Sequence, residues 1–353
     1  MEGAGARSPR WLWIAACSLL FLATTGAAVV GARASSHAIP QPDIVPLTTD
    51  FATGSFGRPV VEVSVGESKP VQVLLDTGSI GLRIEASALS SAGGIARSSR
   101  RTSITFGDGS SFSGTVGKAI VHIGGQSTTA PVSFEIVDKV HCGQAPQCIS
   151  GLDGASISGI MGIGLGGLSQ TLPNPLSALA PPYSQRWELS VGVSETPTTS
   201  GQLILGARQP HATSVIHLRL LGETGPSRFW SDYFVACWSV AGSQGVYPTL
   251  LDSGSTQAQI YSNSLHNLTI QGSAPAQMRY NVPISISGCR AHAPILSFST
   301  DPALNPVEVA RSPYRTTVGV LGVQAFYANS VTYDTVKGLI SLSQSPAALS
   351  PRG

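Results

Sequence analysis

The chain is poor in charge, in helix and in paired metal-binding motifs. Lys, Arg, Asp and Glu make up only 11% of 353 residues, and the formal net charge is +2. A balance so close to zero leaves no electrostatic footprint for nucleic acid. Helical stretches are few and short, around Glu85–Ser91 and Leu176–Ala180. Strands are therefore not interleaved with long helices, which disfavours a parallel βαβ fold. No Gly-x-Ser-x-Gly elbow occurs, and His122 and His217 sit apart in strand-like runs, so a Ser-His-Asp hydrolase is unsupported. No CxxC pair occurs either, so neither a metal nor a cofactor is expected.

What is present is turn and strand. Gly and Pro number 39 and 24, and apolar residues reach 42%, the composition of an all-β protein with ample core for two lobes. "VVEVSV", "GESKP" and "VQVLL" read as strand, turn and strand, a hairpin that runs straight into Asp76. Arg7 and Arg10 precede the apolar run Trp11–Ala32, and Ala32-Arg33-Ala34 offers a small-x-small cleavage site. That is the layout of a secretory signal peptide over 1–34, which predicts a secreted or cell-envelope protein. The run is also long enough to span a bilayer, so an uncleaved signal anchor is the alternative and the one expected membrane contact.

Cleavage would remove Cys17 and leave Cys142, Cys148, Cys237 and Cys289, an even number suited to two disulfides in an exported chain. Three pairings are open. Joining Cys142 to Cys148 and Cys237 to Cys289 keeps each bridge within one half and is the one expected.

The chain repeats itself. "LLDTGS", Leu74–Ser79, returns half a chain later as "LLDSGS", Leu250–Ser255. Each copy is followed by an apolar-apolar-Gly segment, "GIMG" at Gly159–Gly162 and "GVLG" at Gly319–Gly322. Two motifs in the same order in both halves point to an internal duplication. One such motif alone would be read as a turn at a strand end.

With these motifs in place, the chain resembles the pepsin-like aspartic proteases from Pro59 to Ser343. "DTGSIGLRI" and the compact second half are further similar to the secreted aspartic protease domains of mycobacteria. The resemblance implies an all-β, two-lobed fold with a cleft between the lobes and a β-hairpin flap. It divides the chain into a signal peptide (1–34), an extended lead-in (35–58), a first catalytic lobe (59–190), a second catalytic lobe (191–345) and a tail (346–353). It also implies an aspartic endopeptidase, monomeric, acting on protein or peptide substrates. The alternative is a pepsin-like binding or inhibitor protein that is catalytically weak or inactive.

Site residues follow by position. Asp76 and Asp252 would be the catalytic pair. Hydrolysing an amide without a covalent intermediate takes a base for water and an acid for the carbonyl oxygen. Two carboxyls sharing one proton supply both, pepsin being the standard example. Gly78 and Gly254 would lend N–H donors to them, Thr77 and Ser253 would bond across the lobes, and Ser79 and Ser255 would bond the outer carboxylate oxygens. "TFGDGSSFSG" is similar to the flap, with Phe106, Gly107, Asp108 and Gly109 over the substrate. Phe106 replaces the family's usual Tyr and so lacks a hydroxyl donor. Arg83 stands where the family often has Trp, and three placements are open: against the flap, beside the cleft, or on the surface. No Lys-rich inhibitory segment lies between Ser35 and Asp76, so control by export or by pH is expected.

Overall fold

The computed structural model describes residues 40–50, 56–89, 93–107, 109–142, 157–166, 172–192, 201–225, 227–273, 275–289, 293–313 and 316–345. The signal peptide, the tail, Cys148 and Asp108 lie outside these residues. Among them one continuous sheet has 15 strands and a second has seven.

The hairpin expected before Asp76 is present. Arg58–Val65 pairs antiparallel with Val71–Asp76, Val60 opposite Leu74. The apolar run before the aspartate is buried on both faces. Leu74 packs in a small cluster under the flap with Val60, Phe112 and Ile160, whereas Leu75 points into the main core. A strand covered on both faces reads as a continuous apolar run, and each fully buried Leu contributes roughly 1.5–3 kcal/mol.

After Asp76 the chain makes a short loop and comes back as Ile80–Glu85. Between these two strands lies Ile157–Ile163, parallel to the first and antiparallel to the second. The second half repeats the pattern. Val318–Leu321 lies between Ser243–Leu251, parallel to it, and Ala258–Tyr261, antiparallel to it. This arrangement explains the repeated glycine. Gly162 lies on the Ser79 and Ile80 backbone, and Gly322 on the carbonyl oxygens of Gln257 and Ser255. A side chain at either would overlap main-chain atoms, so only Gly lets the central strand sit under the loop.

Six strands join the halves at the base. In order they are Ser214–His217, Leu339–Gln344, Asn329–Asp334, Arg186–Val191, Gly201–Leu205 and Asp43–Asp50, and Asp43–Asp50 leads on into Arg58–Val65. The segment expected as an extended lead-in thus contains a strand of this sheet. The two short helical stretches are 3-10 turns, Ala86–Leu89 and Pro175–Ala178. An α-helix, Gln324–Ala328, follows the second glycine motif and packs its apolar face inward. No helix among the described residues is long and apolar enough to cross a membrane.

Cys237 and Cys289 form a disulfide across 52 residues, at a Cα separation of 4.9 Å. It staples Tyr233–Val240 to the end of its neighbour Pro283–Gly288. Cys142 is also disulfide-bonded. Closing a loop of 52 residues is worth on the order of 4 kcal/mol by chain entropy. Replacing Cys237 and Cys289 by Ala together should lower unfolding free energy by about that amount. A denaturant midpoint that stays put on double replacement would contradict this.

Candidate active site

The strand pattern delivers the two aspartates to one place, each at the end of a strand that flanks the central strand of its own half. Asp76 is buried and Asp252 half-buried. Their carboxyls lie within hydrogen-bonding reach of each other. Each loop interleaves with the opposite carboxyl: Gly78 has no room for a side chain because of Asp252, nor Gly254 because of Asp76. Both glycines also donate, Gly78 N–H to Asp76 Oδ1 at 2.8 Å and Gly254 N–H to Asp252 Oδ1 at 2.9 Å.

Beneath the carboxyls the halves are tied by a reciprocal set of bonds. Thr77 Oγ1 accepts from Ser253 N–H at 2.9 Å and donates to Leu251 O at 2.9 Å. Ser253 Oγ accepts from Thr77 N–H at 3.1 Å and donates to Leu75 O at 2.7 Å. Each hydroxyl is used once as donor and once as acceptor, which is why only Ser or Thr suits the position. Both side chains are buried. Thr77→Ala would strand a buried N–H and a buried carbonyl, at about 1–3 kcal/mol each. We expect a loss of roughly 2–4 kcal/mol for Thr77→Ala and for Ser253→Ala. The double variant should fall short of the sum, because the residues share one network. Chemical denaturation of the three variants checks this, and strict additivity would count against a shared network.

The two serines differ. The Ser79 hydroxyl donates to Asp76 Oδ2. The Ser255 hydroxyl instead donates to Gln257 O at 2.8 Å, so its expected bond to the outer oxygen of Asp252 is replaced by its main-chain N–H. The halves also differ two residues on. The carbonyl matching Gln257 in the first half is that of Gly81, and Arg83 Nη1 donates to it at 3.1 Å. Arg83 itself is buried rather than at the surface.

Removal from water, and then the Asp76 charge, push the Asp252 carboxyl well above the usual carboxylate range, while the N–H groups of Gly254 and Ser255 pull it back. A third carboxyl, missed by sequence reasoning, is close by. Asp232 Oδ1 accepts from Leu165 N–H at 2.6 Å and Oδ2 from Gly166 N–H at 3.1 Å. It reaches from the second half to the loop just after Ile157–Ile163. Burial raises its pKa to about 6, opposed by those two bonds. The sequence hint was the run "GIGLGG", whose closely spaced N–H groups invite a carboxylate. Tyr333, buried below Thr77, was also missed; burial raises its pKa.

The flap segment forms a hairpin, Ala96–Thr105 with Ser111–Ala119. Its end is closed by Phe106 N–H to Ser110 O at 2.8 Å and Gly109 N–H to Phe106 O at 3.0 Å. Gly109 takes φ +82°, a left-handed conformation that suits Gly. The Phe106 ring packs edge-on against Phe112, centroids 5.0 Å apart, in the cluster of its own lobe. Gly107 faces the Tyr261 hydroxyl of the second half, 3.3 Å from where a side chain would begin. The hairpin tip thus crosses the cleft. Among the described residues no three His, Cys, Asp or Glu side chains gather so as to hold a metal ion.

Residues 44–213 match the sequence profile of the family described as PE-PGRS C-terminal aspartyl peptidase-like domain. That match takes in Asp76 and stops short of Asp252. No curated protein matches the chain. Among solved structures, the aspartic proteinase from Irpex lacteus superposes with a TM-score of 0.60 at 16% sequence identity, covering 88% of this chain and 99% of that one. At such low identity the likeness speaks for the fold: the chain has the two-lobed, all-β pepsin-like architecture.

Proposed function

We propose that this chain, built on the pepsin-like aspartic protease fold, is an exported aspartic endopeptidase whose working groups are Asp76 and Asp252. The observation that carries the reading is the pair itself, two carboxyls within hydrogen-bonding reach, one from each half. Like charges so close do not both ionise, so one proton stays on the pair. A water held between them would lose a proton to the ionised carboxyl as it attacks the scissile carbonyl. The protonated carboxyl would give its proton to the carbonyl oxygen. The tetrahedral diol then collapses as a proton passes to the leaving nitrogen. The pair begins and ends with one proton, and no covalent intermediate forms.

An extended peptide fits such a cleft by main-chain bonds, with alternate side chains reading pockets on either side. The hairpin end, where Gly107 comes up to the Tyr261 hydroxyl of the second half, supports a role as cover for that peptide. We further propose that residues 1–34 direct export and are cleaved after Ala34, and that the enzyme acts as a monomer on protein or peptide substrates.

The test is cleavage of a peptide library by the purified chain from pH 3 to 7, with and without a pepstatin-type inhibitor, with mass spectrometry of the secreted N-terminus alongside. Inhibitor-sensitive cleavage at acid pH is expected. One observation favours a second reading. Phe106 lacks the hydroxyl that the usual flap Tyr supplies, which weakens substrate ordering by about 1 kcal/mol. If no peptide is cut at any pH, the chain is a pepsin-like binding protein instead.

A further inference from the structure

Arg83 and Glu135 are charged residues with 3% and 1% of their surface exposed. They are cross-strand neighbours, on the parallel strands Ile80–Glu85 and Val132–His141. Arg83 Nε stands 3.2 Å from Glu135 Oε2. Its Nη1 donates to the carbonyls of Ile80 at 2.8 Å and Gly81 at 3.1 Å. Taking both charges out of water is costly, and apolar side chains in place of such a pair often leave a protein as stable or more so. Stability is therefore a weak reason for a buried pair at this spot, one strand away from Asp76.

The second half is a built-in control. Counting from the aspartate, the position matching Arg83 is Gln259, which is neutral and accepts from the Tyr261 hydroxyl at 2.9 Å. There the Gln257 carbonyl takes the Ser255 hydroxyl at 2.8 Å. In the first half Arg83 occupies the matching Gly81 carbonyl, and the Ser79 hydroxyl goes to Asp76. Asp76 thus holds one more hydroxyl donor than Asp252 and also feels the Arg83 charge.

We propose that Arg83, held by Glu135, is a positioning residue that turns the Ser79 hydroxyl onto Asp76 and so keeps the proton of the pair on Asp252. This rests on the reading of Asp76 and Asp252 as the working pair. Among the described residues the charged and titratable groups concerned are few. Glu135 and Asp76 act on Arg83, Arg101 and Asp138 act on Glu135, and Asp232 and Tyr333 stand beside the pair. Protonation of a coupled pair is read as two macroscopic midpoints.

Three variants test it: Arg83→Lys, Ser79→Ala, and Arg83→Met combined with Glu135→Leu. The double change removes both buried charges at once and keeps the test open if Arg83→Met alone fails to fold. For the folded double variant, the acid limb of the kcat/KM profile should move up by about 0.5–1 pH unit. kcat should fall more than KM changes. Ser79→Ala should move the limb in the same direction by less, and Arg83→Lys should restore part of the shift. Carbon-13 carboxyl titration of Asp-labelled protein should show the lower midpoint of the pair moving with the limb. An unmoved acid limb and unmoved carboxyl titration in the folded double variant overturn the proposal. If the wild type cuts no peptide, the protease reading fails, and the carboxyl titration alone still decides this one.

Discussion

Asp252→Asn is expected to abolish cleavage of every peptide that the wild type cuts, with kcat down at least ~10³-fold, while the protein stays folded. The amide has the shape of the carboxyl and keeps an oxygen for Gly254 N–H, which now donates at 2.9 Å. What it lacks is a proton to give or take near neutral pH. It also stays neutral where ionisation beside Asp76 is unfavourable, so the melting temperature should hold or rise. Asp76→Asn should be equally inactive but less well tolerated. Asp76 is 5% exposed and takes both the Gly78 N–H and the Ser79 hydroxyl. An amide there also withdraws a negative charge that the Arg83 guanidinium feels. Initial rates on a cleaved peptide and thermal melts of both variants suffice. Activity in either folded variant above a thousandth of wild type would remove the pair from the chemistry.

The parts of this site that sequence could reveal are those written twice. The echo of "LLDTGS" as "LLDSGS" and of "GIMG" as "GVLG" located both loops and their glycines before any coordinates. The structure adds the cause: Gly162 and Gly322 each lie against the backbone of the loop they support. The reciprocal bonds of Thr77 and Ser253 were legible for the same reason, since a hydroxyl at both copies can satisfy both. What occurs once was not legible. Arg83 sits between the apolar Leu82 and Ile84, and its partner Glu135 lies some fifty residues away on a strand with no motif. Nothing in the local pattern tells a buried ion pair from two surface charges. Ser255 was misread because the Gln257 carbonyl two residues on comes within reach of its hydroxyl only in the folded loop. Asp232 belongs to the contact between the halves, where a single half's sequence carries no period or motif to mark it.

Folded stability should fall as pH rises from 4 to 7, and Asp232 should be a main cause. Its carboxyl ionises at about 6 in the folded protein against an ordinary 3.8. Between those values the folded chain keeps a proton that the unfolded chain has released. Stability is then fully present below the ordinary value and is lost as pH climbs through the folded one. At 1.36 kcal/mol per unit, the loss from this one group is on the order of 3 kcal/mol. Asp252 and Glu135, both raised chiefly by removal from water, act in the same direction. Melting temperature should therefore drop by roughly 5–10 °C between pH 4 and pH 7. Asp232→Asn should flatten that slope. The amide oxygen can accept from Leu165 or Gly166 but not from both through its two ends, so some stability is lost at every pH, while the proton linkage disappears. The slope, not the absolute value, is the reading that separates a lost bond from a lost titration. If Asp232→Asn keeps the full slope, the linkage belongs to Asp252 and Glu135, and the double variant Asp232→Asn with Asp252→Asn should then flatten it. If the slope goes with Asp232, one buried carboxyl makes the folded chain most stable at the acid pH where a pair sharing one proton works.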